Sequence, residues 1–390
     1  MLRYIFLTLL ISSRLFASTT PETYSESLPN GVRIILQQDH SKPRIAVTTL
    51  IRTDFFPQKN YGVSLLVQHL LMGGKPSKEI KDLVKDLQIR TNASFVEDAS
   101  WFDADMPRTA LAAYLKAHRT QLSTLDVTAP MMDKCKDEIS QEYPQTFEKG
   151  VLNSAANMLK SKMFDDPYAY GTEGPSVFIN TLTPEMVNEY YLNNYRANSI
   201  TLSIVGDFET KDVLSMIRKE WSSYPEKRVD DPVFQFFKGY KPLDQYTIRI
   251  KLPEDKVSVV LGYEMPDARH TDTAALDVLM ELLEGPKGVG SFADSKLKGK
   301  VNETIASDYL TLRPNMFVLG ADGKDKVDAQ ELKDGLISAL QNVVVNRESK
   351  DWEKARERTI EKFVTRTSDR IDLARNLAIY DVFYGSYLSY

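Results

Sequence analysis

A shift of 212 residues lays the apolar run RIAVTTLI (Arg44 to Ile51) on KVSVVLGY (Lys256 to Tyr263), and the same shift lays HLLMGGK (His69 to Lys75) on ELLEGPK (Glu281 to Lys287). Two matches in one register limit the fold more than either alone. A shift of 213 brings Ala93-Ser94 onto Ala306-Ser307, and one of 220 brings the helical stretch MDKCKDEI onto WEKARERT, with Glu138 opposite Arg358. The spacing predicts two copies of one α+β unit, each long enough to bury its own core.

Local patterns give the order of elements. Tyr24 to Leu36 reads as two short strands around the turn Pro29-Asn30-Gly31, and Ile45 to Ile51 as a third strand. In Tyr61 to Gly74 the apolar residues Leu65, Leu66, Leu70 and Met72 recur near helical spacing before a Gly-Gly stop, so this is a buried helix. A second helix begins near Ser77. Asn92 to Met106 reads as a strand pair, Arg108 to Leu122 as a long helix, and Pro130 to Phe147 and Val151 to Phe164 as two more. A Pro/Gly-rich loop, Asp165 to Pro175, precedes a helix capped by Thr183-Pro184-Glu185 and the strand SITLSIVGDF.

After Trp221 prolines and charges break every period, which places a linker at 223–245 between a first unit, 24–222, and a second, 246–390. The second copy stops at Tyr390 without a counterpart of the last helix and strand of the first. It is expected to be incomplete, either as a fragment of a longer chain or with an exposed sheet edge.

Residues 1–17, MLRYIFLTLLISSRLFA, combine a basic start at Arg3, an apolar run from Ile5 to Ile11 and a small residue at Ala17, the pattern of a secretory signal peptide. That predicts export to a periplasm or the extracellular space. Arg14 and the serines around it leave an amphipathic transit segment, and so a mitochondrial destination, as the alternative. No later stretch is apolar for long enough to span a bilayer, so the mature chain is expected to be without a membrane span. Removing Arg3 and Arg14 takes the formal charge from −5 to −7, and no Lys/Arg stripe is interleaved with aromatics, which argues against a nucleic-acid partner. One cysteine, Cys135, excludes an internal disulfide and reads as packing.

Several segments together resemble the insulinase/pitrilysin-like zinc peptidases, family M16, which include the mitochondrial processing peptidase and its bacterial relatives. They are LPNGVRIILQQDHSKPRIAV, NASFVEDASWF, DDPYAYGTEG and YYLNNYRANSITLSIVGDF in the first copy, with VVLGYEMP and ALDVLMELLEG in the second. The resemblance covers nearly all of the chain after the leader. It implies two homologous domains related by an approximate two-fold, each a mainly antiparallel sheet with helices packed on one face, forming a clam-like chamber that smaller members complete by dimerising.

The resemblance also implies where chemistry should be. The family carries HxxEH on the helix of Tyr61 to Gly74, with a downstream Glu as third ligand. Two histidines four apart share a helix face and hold zinc, and the Glu between them takes a proton from the zinc-bound water. Here the first His position is Leu65, the base position is Gln68, only His69 remains, and the downstream Glu corresponds to Glu138. Leucine has no lone pair for a metal, and an amide is no base near neutral pH. One imidazole and one carboxylate fall short of a catalytic zinc site. A partly buried His69, hydrogen-bonded to Glu138 or to backbone, accounts for that residue without a metal.

The other histidines, His40, His118 and His270, make no helical pair with another His. Phe292 stands where the family's substrate-gripping arginine is expected, and Tyr309 is too loosely aligned to assign. Asn92-Ala93-Ser94 and Asn302-Glu303-Thr304 fit a glycosylation sequon, and GPKGVG reads as a helix stop and turn.

The expectation is therefore a non-catalytic M16-like subunit, without zinc or another cofactor of its own, inactive by itself and paired with a paralogue that has an intact HxxEH helix and carries the zinc. It would offer an edge strand, Asn92, Ala93, Ser94 and Phe95, to extended peptides by β-augmentation. The alternatives are an active zinc metalloendopeptidase with an altered site, and a purely structural subunit of a larger complex.

Overall fold

A computed structural model describes residues 23–53, 61–73, 77–96, 98–125, 127–146, 150–164, 176–226, 257–265, 270–285, 290–309, 315–346 and 349–389. The expected leader, the loop 165–175 and the expected linker from residue 227 onward lie outside them.

Strands β1 (Thr23–Ser27), β2 (Arg33–Gln38) and β3 (Arg44–Arg52) come first, then helices α1 (Val63–Gly73) and α2 (Ser77–Leu87) and the hairpin of β4 (Arg90–Val96) and β5 (Ala99–Pro107). Helices α3 (Leu111–Ser123), α4 (Ala129–Thr146), α5 (Val151–Met163), α6 (Ser176–Ile179) and α7 (Pro184–Asn194) lead to β6 (Ile200–Gly206) and α8 (Thr210–Trp221). The second half runs β7 (Ser258–Met265), α9 (Thr273–Glu284), α10 (Ser291–Asp294), β8 (Val301–Tyr309), β9 (Asn315–Gly323), α11 (Ala329–Asn346), α12 (Ser349–Thr367) and α13 (Arg370–Phe383). From β3 to α5 and from β7 to α13 the order of the main elements is the same, as the repeat requires.

The first sheet has the order β1-β2-β6-β3-β5-β4, with β2 and β6 parallel and every other pair antiparallel; the second is an antiparallel β7-β9-β8. Strands β3 and β6 are buried along nearly their whole length, which is why their sequences are continuous apolar runs rather than alternating ones. Gly206 ends β6 at φ +144°, where a Cβ would lie 2.3 Å from the Arg44 carbonyl oxygen, so only glycine lets the chain leave the sheet there.

One face of the first sheet carries α1, α3, α7 and α8 over a core that includes Leu66, Phe102, Tyr114, Tyr190 and Trp221. Tyr224 belongs to it too, stacked on Trp221 at 5.5 Å and donating from its hydroxyl to the Leu122 carbonyl at 2.8 Å. The second sheet holds α9, α10 and α11 on one face, around Leu283, Leu319, Leu332 and Leu336. Phe292, the residue in place of the expected arginine, is buried in that core.

Each half thus packs its own helices on one face, as expected, but the opposite faces are covered by an exchange. Helix α13 of the second half lies on the back of the first sheet, where Ala374 and Leu377 meet Ile35, Ala46 and Val205. Helix α5 of the first half lies on the back of the second sheet, where Ala156, Leu159 and Met163 meet Val260, Met316 and Val318. The two exchanged helices are themselves counterparts, since each closes the order of main elements that the two copies share. Gly262 makes room for α5: a Cβ there would sit 2.7 Å from Leu159 Cδ2 and 2.8 Å from Met163 Sδ. Charges pin α13. Arg33 donates to both oxygens of Asp381 (3.1 and 3.2 Å), Arg370 pairs with Asp39 (2.9 Å), and Arg375 reaches Asp103 (2.6 and 3.1 Å).

Candidate functional site

Helix α1 is apolar on nearly every side and is buried from Val63 to Gln68, so its position between sheet and outer helices is fixed by packing alone. Leu65, in the first His position of the zinc motif, is buried in the core. Gln68 is buried as well, and its side-chain amide donates to the Ser94 carbonyl on β4 at 2.9 Å. The residue in the base position therefore ties the helix to the edge strand instead of facing a water.

His69 is the one motif residue that keeps its chemistry, and it points at α4. Its Nδ1 is 3.9 Å from Glu138 Oε2 and its Nε2 is 3.5 Å from Glu142 Oε2. His69 does face Glu138, but at 3.9 Å the expected hydrogen bond is not made; the nearer carboxylate is Glu142, which the sequence alone does not single out although it stands four residues after Glu138 and so on the same helix face. Both carboxylates are about half exposed, and Glu138 also faces Lys134 at 3.5 Å.

The second copy builds the same contact with the residue types exchanged, an acid on the first helix and basic side chains on the fourth. Glu281 (69 + 212) meets Arg358 (138 + 220) at 2.6 Å and also Lys362 (142 + 220). Burial pushes the Glu281 carboxyl up, but the hydrogen bonds and positive charges of Lys362 and Arg358 outweigh it and hold it below the usual carboxylate range. In both halves this position is a polar clasp between the first and the fourth helices of the copy, a packing device that requires no metal.

The family's zinc does not fit the residues present. Leu65 offers no donor, Gln68 is engaged with backbone, and His69 meets its two carboxylates at ion-pair separations. Among the described residues no group of three or more His, Cys, Asp and Glu side chains could hold a metal ion. No water-activation step follows from this set.

The remaining candidates are structural. His118 is fully enclosed, with Nδ1 at 2.9 Å from Gln121 Oε1 and Nε2 at 3.0 Å from Thr49 Oγ1, and burial pulls its pKa down to about 4. His40 pairs with Asp207 at 2.7 Å and His270 faces Asp272 at 3.7 Å, both at the surface. Burial pushes the Cys135 thiol up to about 11, as suits packing rather than nucleophilic attack. Asn302 spends its amide on Asp322 and on the Gly323 carbonyl, both at 3.0 Å.

The proposed peptide-binding strand, Asn92 to Phe95, lies at the outer edge of the first sheet. Its backbone directions follow from alternation along antiparallel strands. Thr53 donates to the Asp98 carbonyl, so Asp98 and every second residue of β5 face β3, while Ala99, Trp101, Asp103 and Asp105 face β4. Their partners Asn92 and Ser94 are therefore bonded into the sheet, and Thr91, Ala93 and Phe95 turn their backbone groups outward. Of the four residues singled out, Ala93 and Phe95 present the edge.

Residues 181–359 match the peptidase M16 inactive domain. Among characterised proteins, the chain is 22% identical over 356 residues to the zinc protease PqqE of Helicobacter pylori, covering 84% of this chain and 76% of that protein. Among solved structures, a protease from Helicobacter pylori superposes with a TM-score of 0.81 at 17% identity, over 94% of this chain and 90% of that one. The periplasmic protease PqqL from Escherichia coli superposes with a TM-score of 0.66 at 13% identity; 94% of this chain matches 43% of that one, so this chain spans less than half of PqqL. At these identities the structural likeness establishes the fold.

Proposed function

The chain is an M16-family peptidase-like protein, and from that premise we propose that it is a non-catalytic subunit working beside a paralogue with an intact HxxEH helix that carries the zinc. The match to the inactive domain supports a non-catalytic member of the family. One observation carries the reading: the helix that would hold zinc is retained in place, with Leu65 in the core and the Gln68 amide bonded to the Ser94 carbonyl. The chain's part is to complete a chamber with its partner and to present the β4 edge, at Ala93, to an extended peptide. Its site of action is an exported one, periplasmic or extracellular. PqqL is periplasmic, the leader has secretory character, and among the described residues no helix is long and apolar enough to cross a membrane.

The test is to isolate the chain with whatever co-purifies and titrate it, alone and with the partner, with a fluorescein-labelled ten-residue peptide of alternating apolar and polar residues. Saturable binding that Ala93→Pro abolishes, with the fold intact by circular dichroism, supports the reading, because proline removes the outward N–H of the edge. Binding indifferent to Ala93→Pro, or no binding by chain or complex, overturns it; the second result favours a purely structural subunit. Chelator-sensitive cleavage by the chain alone would instead establish an active enzyme.

A further inference from the structure

The outer strands β4 and β8 are counterparts, and Ala306 stands where Ala93 does under the 213-residue shift. Both alanines turn their backbone outward. For Ala306 this follows from its hydrogen bond: its N–H donates to Glu284 Oε1 at 2.8 Å, so it is not spent across the ladder on Leu319, its opposite on β9. The edges differ in what meets that N–H. Glu284 is the last residue of α9, exposed, and placed where a helix end disfavours negative charge. Under the 212-residue shift the equivalent residue on α1 is Met72, which has no oxygen to offer and whose sulfur faces the Gln121 amide at 3.6 Å.

A strand that adds to an open edge needs its outward N–H groups. A carboxylate already bonded to the central one must be displaced, and a hydrogen bond to a charged acceptor is stronger than one to a peptide carbonyl. We propose that Glu284 closes the β8 edge and is the specificity-determining residue that directs peptide addition to β4 rather than to its counterpart β8. This rests on the reading that β4 takes an extended peptide. The surface helix end carries the guard, so one substitution opens the second edge without touching either core. Glutamine in its place keeps an oxygen that can accept from Ala306, and so keeps the edge closed.

The experiment compares the full chain as wild type, Glu284→Ala, Glu284→Gln, Ala93→Pro and the double variant Ala93→Pro/Glu284→Ala. Each is titrated with the same labelled peptide, and amide hydrogen exchange is followed at Ala306. The expected stoichiometries are one peptide per chain for wild type and Glu284→Gln, two for Glu284→Ala, none for Ala93→Pro and one for the double variant. Exchange at Ala306 should be at least about tenfold faster in Glu284→Ala, as expected when its amide loses a hydrogen bond to a charged acceptor. Glu284→Ala that stays at the wild-type stoichiometry while its Ala306 amide exchanges faster overturns the proposal. A wild type that binds nothing refutes the role of β4 alone; the guard is then decided by the double variant, where gained binding upholds it and none refutes it.

Discussion

Replacing Arg375 with methionine removes the only cation that the described structure places on Asp103, and the consequence can be worked from the geometry. Asp103 lies on β5, 2% exposed, and accepts two hydrogen bonds from the guanidinium of Arg375 on α13 and one from the Thr48 hydroxyl at 2.7 Å. Burial already holds the Asp103 carboxyl above its ordinary range, and the bonds from Thr48 and Arg375 offset only part of that. Breaking a buried pair by removing one partner leaves an uncompensated charge and costs about 3–5 kcal/mol, whereas replacing both partners by apolar groups is near neutral. Arg375→Met should therefore lower the unfolding free energy at pH 7 by about 3 kcal/mol, and Asp103→Leu in the same chain should recover most of it. The penalty should shrink in acid, where Asp103 takes up a proton. Because the pair joins the first sheet to a helix of the second half, hydrogen exchange should show α13 opening more often in the single variant. The assay is chemical denaturation of wild type, both single variants and the double. A loss in Arg375→Met below about 1 kcal/mol, the range of an exposed ion pair, or a double variant no more stable than the single one, would refute the claim that the exchanged helix is pinned by a buried charge.

His118 makes a prediction about pH. Its folded pKa is about 4 against about 6.5 in an unfolded chain, so below pH 6.5 the unfolded state binds a proton that the folded state refuses. The stability present above pH 6.5 should fall by about 2 kcal/mol by pH 5, at about 1.4 kcal/mol per unit, and this contribution stops changing below the folded value. His118→Gln should flatten that part of the profile relative to wild type in denaturant titrations at pH 7, 6 and 5; parallel profiles would contradict it. Gly262→Val crowds Leu159 and Met163 of α5 and should cost about 1–3 kcal/mol by overpacking. Leu159→Ala in the same chain should restore part of the loss, and failure to do so would place the strain elsewhere.

The elements were legible in the sequence wherever the signal is local. The uninterrupted apolar runs of β3 and β6 announce strands buried on both faces, α1 announces a buried helix, and Thr183 caps α7 as its sequence suggests, accepting from the Met186 amide. The repeat was legible because burial repeats: Leu70 and Leu282 answer to the same packing. The exchange of α5 and α13 was not, since an amphipathic helix shows that it has an apolar face but not which sheet covers it. Arg33 and Asp381 are 348 residues apart, and nothing local links them. The lost zinc motif could be read from residue types, because leucine cannot ligate in any geometry. What replaced it could not. The Gln68 amide on Ser94, Glu142 beside His69, and the clasp of Glu281 with Arg358 and Lys362 depend on how two helices and a strand edge meet in space.

On this reading the zinc-motif helix survives as packing and not as a metal centre. The most direct test is the zinc content of the purified full chain, measured by elemental analysis before and after His69→Ala, after equilibration with stoichiometric zinc at neutral pH. Zinc should stay well below one ion per chain in both proteins, unchanged by the substitution. One zinc per chain that disappears with His69→Ala would contradict this reading.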